Sequence, residues 1–190
     1  MKADEFAEKL AEVAPSVEYL ISCGYGAIAE EIRNGYILNK REKPMVPTHD
    51  DPLIYLICNY DTSNFQIGML TLGTRKYSFS PPVNKVYVGA IESDILVINH
   101  STGAVELLDH AQPDFVVAEC AASGGNFLEA ILFLASFKPP HPDFKNLSRE
   151  QQIENNQAAG SHATQCAKTA GISMSPNNIY EELLGYDPRK

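Results

Sequence analysis

The stretch ILVINHSTGAVELLDH, residues 95–110, constrains the fold more than any other part of the chain. Two runs of β-branched and aliphatic residues flank a short polar turn, His100 to Gly103, that ends in glycine. That pattern predicts a β-hairpin. A lone hairpin is only marginally stable in water, so it commits its neighbours to a sheet. KVYVGAI, at 85–91, is the natural next strand. FQIGMLTLG (65–73) and RKYSFS (75–80) read as further strands, and LIYLICNY (53–60) as a buried one. Tyr36-Ile37-Leu38 reads as a short strand, while FVVAECAA (115–122) fits strand or helix.

Helices are expected on either side of this block. Phe6, Leu10 and Val13 recur at helical spacing over residues 3–13. Pro15 suits the start of a second short helix, and Gly24 its left-handed end. NFLEAILFLASF, at 126–137, is an apolar helix with Asn126 as the expected N-cap. KPPHPDF (138–144) is a rigid connection. Beyond it, Ser148 and Gln151 form a capping-box pattern that starts a polar helix. Residues 161–170 are helical up to Gly171, and Ser175-Pro176 opens a last helix that Gly185 ends. The order of helices, consecutive strands and helices predicts an α+β fold with a mainly antiparallel central sheet flanked by helices. Residues 1–137 form the expected domain, and 138–190 a C-terminal helical extension packed on it.

Charge narrows the function. With 15 basic and 24 acidic residues, the formal charge is −9. Nucleic acid and anionic membrane are poor partners for such a surface, and a basic protein is a good one. No apolar run approaches the length of a membrane span, and MKADEFAEKLAEV lacks a signal-peptide core. The four cysteines are scattered among apolar or small neighbours, so buried free thiols in a reducing cytoplasm are expected. The acidity is uneven: no Lys or Arg occurs between Val86 and Phe137, where seven acids fall. Glu92, Asp94 and Asp109 are the leading candidates for partner contact, with Glu106 a weaker one. Glu92 and Asp94 share a face if that segment is extended.

The other motifs carry less. Gly24-x-Gly26 follows a helix, lacks a third glycine and has no Lys-Ser/Thr after it, so it reads as a helix stop and turn and not as a phosphate loop. His100 and His110 stand at opposite ends of the return strand, too far apart to share an ion. His49-Asp50-Asp51 lies in a proline-flanked loop, and Ser123-Gly124-Gly125 leads into a helix, where the loop reads either as a backbone anion site or as the turn any helix N-terminus needs. These two places are where a small-molecule or enzymatic site would sit. No nucleophile elbow or activated cysteine is present, and no catalytic residue, metal or cofactor is expected.

Two stretches bear a family likeness. PSVEYLISCGYGAIAEEI (15–32) supplies Pro15, Tyr19, Leu20, Gly24 and Gly26; VGAIESDILVINHSTGAVELLDH (88–110) with the helix that follows supplies Gly89, Glu92, Asp94, Thr102, Gly103, Val105, Asp109, Phe127 and Leu128. In this pattern residues 5–137 resemble the SUKH superfamily of immunity proteins, which share a fold with the Smi/Knr-type regulators of fungal cell-wall synthesis. The tail from 138 has no counterpart in the pattern. The resemblance implies a central sheet flanked by helices and a non-enzymatic, intracellular protein that binds and neutralises a toxin domain, often a nuclease. A structural or regulatory subunit, assembled through the polar C-terminal helices, is the remaining alternative.

Overall fold

A computed structural model describes residues 1–47, 49–73, 82–173 and 178–187. Its elements in chain order are α1 (Ala3–Val13), α2 (Val17–Ser22), α3 (Ala29–Asn34), β1 (Asn39–Lys40), α4 (Pro52–Asn59), β2 (Tyr60–Asp61), β3 (Gln66–Ile67), β4 (Leu70–Leu72), β5 (Lys85–Ile91), β6 (Asp94–Asn99), β7 (Val105–Leu108), β8 (Val116–Ala121), α5 (Gly124–Ala135), α6 (Arg149–Ala170) and α7 (Ile179–Leu183). Strands β3 to β8 form one antiparallel meander in chain order, and β1 pairs with β2 apart from it. The fold is α+β, as expected.

The expected hairpin is β6–β7. Ile95 lies opposite Leu108 and Ile98 opposite Val105, and Gly103 takes φ 78° in the turn. One sheet face carries Leu96, Ile98, Val105 and Leu107 into a core shared with Phe6, Leu53, Phe127 and Ile131 of α1, α4 and α5. The other face buries Ile95, Val97 and Leu108 beside Tyr87.

Four expectations about element type or boundary change. LIYLICNY is a helix, α4, and not a strand. Asp51 accepts hydrogen bonds from the N–H groups of Leu53 and Ile54, and Pro52 occupies the first turn. A short apolar run fits either element by periodicity alone; the Asp-Pro start decides it. Tyr36-Ile37-Leu38 forms no strand, because the N–H groups of Tyr36 and Ile37 still bond back to Arg33 and Asn34 at the end of α3. Pairing starts only at Asn39. FQIGMLTLG breaks into β3 and β4 at Gly68, whose φ of 58° closes a tight turn. Ser123, not Asn126, caps α5: its hydroxyl accepts from the Asn126 N–H. FVVAECAA resolves as β8. RKYSFS and Ser175-Pro176 lie outside the described residues.

The polar C-terminal sequence contributes to the core through small residues. Helix α6 is a single helix of 22 residues with the Ser148–Gln151 capping box formed and Gly171 at φ 75° beyond its end. It buries Ala163, Cys166, Ala167 and Ala170 in the same core cluster as α5. The Tyr180 hydroxyl of α7 donates to the Cys120 carbonyl at 2.7 Å, tying α7 to β8.

Gly89 sits at the bulge where β5 shifts register against β6. A Cβ there would stand 2.3 Å from the Thr71 carbonyl oxygen of β4. Gly89→Ala is therefore expected to destabilise the chain by about 1–3 kcal/mol, read as a lower urea midpoint.

Candidate functional site

The hairpin register brings the acidic candidates to one end of the sheet. Ile91 pairs with Asp94, so Glu92 and Ser93 are the two residues of the β5–β6 turn. The premise that Glu92 and Asp94 share an extended segment fails. Glu92 has φ 52°, the only positive φ at a described residue other than glycine. Its N–H is held by the Met69 carbonyl, and its side chain is exposed. A residue with a long side chain on its Cβ is less favourable in this left-handed region than Gly or Asn.

Asp94 opens β6 beside the end of β7. Its Oδ1 accepts from the His110 N–H at 3.1 Å and lies 2.9 Å from His110 Nδ1. Asp109 Oδ1 accepts from the N–H groups of Ala111 and Gln112, and the Asp109 N–H donates to the Phe115 carbonyl. The loop carrying exposed Asp114 and Phe115 is thereby closed against the same end. Glu92, Asp94, Asp109 and Asp114 thus gather on one rim, with Phe115 (59% exposed) and Val116 (40%) beside them.

Glu106 stands apart. It lies near the opposite end of β7, where Lys85 Nζ is 2.7 Å from its Oε2 and Asn99 donates to its Oε1. Both side chains of the ion pair are about nine-tenths buried, at 10% and 12% exposure. The base-free stretch stops one residue short of Lys85, so spacing alone did not reveal that Glu106 is neutralised across β6.

His100 and His110 occupy opposite ends of β7, as expected. The cross-strand partner that sequence reasoning missed is Asp94: with Asp109 and His110 it places three ligand atoms within 4.8 Å of one another. These are the described residues that can approach a shared cation, although the Oδ1 atoms of both aspartates already accept backbone N–H groups.

The two places named for a small-molecule site have other occupants. The N-terminus of α5 does face an anion, and that anion is Asp51: its Oδ2 accepts from the Gly124 N–H at 3.3 Å while its Oδ1 caps α4. His49 lies against His100 with ring centroids 3.5 Å apart. Burial, and secondarily His49, lowers the pKa of His100 from its usual 6.5.

A cleft of about 1110 Å³, which sequence reasoning missed, opens between α2–α3, β3 and the α5–α6 side. Tyr19, Tyr25, Tyr36, Phe65 and Lys138 line it. Burial, with a hydrogen bond to Cys23, pushes the Tyr19 hydroxyl up to about 12, and burial raises Tyr36 as well. Both hydroxyls stay protonated at neutral pH and can donate hydrogen bonds. The three tyrosines around the glycine turn were the available sequence signal.

Comparison with models of known protein families, with curated proteins and with solved structures finds no match. No helix among the described residues is long and apolar enough to cross a membrane.

Two predictions follow from this geometry. Asp51→Ala leaves N–H groups of two helices uncapped and is expected to cost about 1–3 kcal/mol, measured by urea denaturation. For His100, a lowered folded-state pKa means the unfolded chain binds more protons, so stability falls as pH drops below the usual 6.5 and levels off once the folded ring is protonated too. His100→Asn should flatten that part of the stability–pH curve; an unchanged slope would assign it to another group.

Proposed function

We propose that the chain is a protein-binding module that captures a basic partner through the acidic rim, in the manner of an immunity protein neutralising a nuclease-type toxin. The observation that carries this reading is the convergence of Glu92, Asp94, Asp109 and Asp114 on one end of the sheet, from a stretch without Lys or Arg. Nuclease domains are basic because they bind phosphate backbones. A rim of like charge steers such a partner and rejects acidic ones. The strained φ of Glu92 supports the same reading, since a turn that would be more stable with glycine holds a carboxylate at its outermost point. The resemblance to the SUKH superfamily agrees with it. No catalytic step is part of the proposal.

The partner to test first is the C-terminal domain of any large secreted protein encoded beside this gene. Co-expression is expected to relieve its toxicity. Glu92→Lys with Asp109→Lys should slow association by about tenfold at low ionic strength, with little change at high salt. Equal association rates at low salt would remove the electrostatic reading. Glu92→Gly separates strain from function: it should raise stability by up to about 1 kcal/mol while still slowing capture.

The cleft favours a second reading, a small-molecule site built from tyrosine hydroxyls and Lys138. A thermal-shift screen against nucleotides and metabolites distinguishes it, because only a ligand of the folded state raises the melting temperature.

A further inference from the structure

Strand β8 is the last in the order β3-β4-β5-β6-β7-β8, so one row of its backbone N–H and C=O groups faces no strand among the described residues. Its second half is covered: Cys120 and Ala121 are fully buried, and the next residue, Ala122, donates its N–H to Ala170 of α6. The first half is open. Phe115, Val116 and Glu119 are exposed, and Val117 and Ala118 are partly so. Natural sheet edges are usually blunted by lysine, proline or a covering element. Residues 116–119 contain neither lysine nor proline, and the only charge among them is Glu119. The pairing steps from Leu107–Ala118 to Leu108–Val116, which leaves Val117 without a register partner in β7.

Resting on the partner-binding reading above, we propose that residues 116–119 of β8 take an extended, positively charged segment of the partner as an added strand. Strand addition gives affinity through backbone hydrogen bonds and selectivity through alternate side chains. Here Phe115 and Val116 offer the apolar contact. Asp114, Glu119 and the rim acids Asp109 and Asp94 supply the charge that selects a basic strand. The same charge disfavours a second copy of this chain, whose β8 would bring Glu119 and Asp114 against their own kind. The rim and the edge are continuous, since the Asp109 N–H bonds to the Phe115 carbonyl where β8 begins.

The probe is a blocked peptide of alternating lysine and valine. Its control has the same sequence methylated at every peptide nitrogen, which keeps the charge and removes the donors. On the intact chain, fluorescence anisotropy is expected to show the parent binding about tenfold more tightly than the control. Amide hydrogen exchange should slow at 116–119 and not at the Glu92–Ser93 turn. Val117→Pro, at the residue without a register partner in β7, should bring the parent down to the affinity of the control. Should that variant fold poorly, the comparison of the two peptides on the native chain decides alone. Equal binding of both peptides, or protection elsewhere than 116–119, overturns strand addition. If that equal binding is lost in Glu92→Lys with Asp109→Lys, the acidic-rim reading survives while the strand proposal does not. Failure of the parent peptide to bind at low ionic strength also overturns the proposal.

Discussion

One carboxylate, Asp51, organises the helical layer on which the sheet rests. Its two oxygens serve two helices: Oδ1 accepts from Leu53 and Ile54 at the start of α4, and Oδ2 from Gly124 at the start of α5. Both helix N-termini carry unsatisfied N–H groups and positive dipole ends, so a single negative charge between them serves both. The arrangement leaves no room for a side chain at Gly124, where a Cβ would stand 2.1 Å from the Asp51 carboxylate. With these ends fixed together, Leu53, Leu56, Phe127 and Ile131 are set side by side against the sheet. The same interaction places a carboxylate at the Ser123–Gly125 loop, one of the two places named for a small-molecule site.

Legibility of the fold followed the range of the interactions. The β6–β7 hairpin, α1 and the capping box of α6 are specified by residues a few positions apart, and all were readable in the sequence. LIYLICNY was misread because its own pattern is ambiguous, and the deciding signal, Asp51-Pro52, lies just before it. Helix α6 reads as polar because its buried face is mostly alanine, with Cys166, which adds little to an apolar count yet allows close approach to α5. Neither the shared use of Asp51 by α5 nor the Tyr180–Cys120 bond has a local signature, since their partners lie 73 and 60 residues apart.

The candidate surface was legible as composition and not as geometry. The absence of Lys and Arg over residues 86–137 was visible at once. Which acids are available depends on pairing: Lys85 and Asn99 occupy both oxygens of Glu106 from neighbouring strands, whereas Asp94 and Asp109 meet only because Ile95 lies opposite Leu108. The turn position of Glu92 likewise follows from Ile91 pairing with Asp94. A one-residue change in any of these registers would send the acids to the opposite face.

The rim and the cleft differ in charge and exposure. The cleft is large, but burial raises the pKa of the Tyr19 and Tyr36 hydroxyls, and Asn155 already gives its amide to both backbone groups of His141. Glu31 and Lys138 are the charged groups that also line the cleft. On the rim, Glu92 is exposed, makes no side-chain hydrogen bond or ion pair among the described residues and sits in a backbone conformation that folding alone does not favour. Phe115 and Val116 expose apolar surface beside those charges, next to an open strand edge. An exposed acid at a positive φ, apolar surface left uncovered and a strand edge that faces no strand among the described residues are each unfavourable features of an isolated chain, and the proposed contact with a basic, extended partner would relieve all three at once.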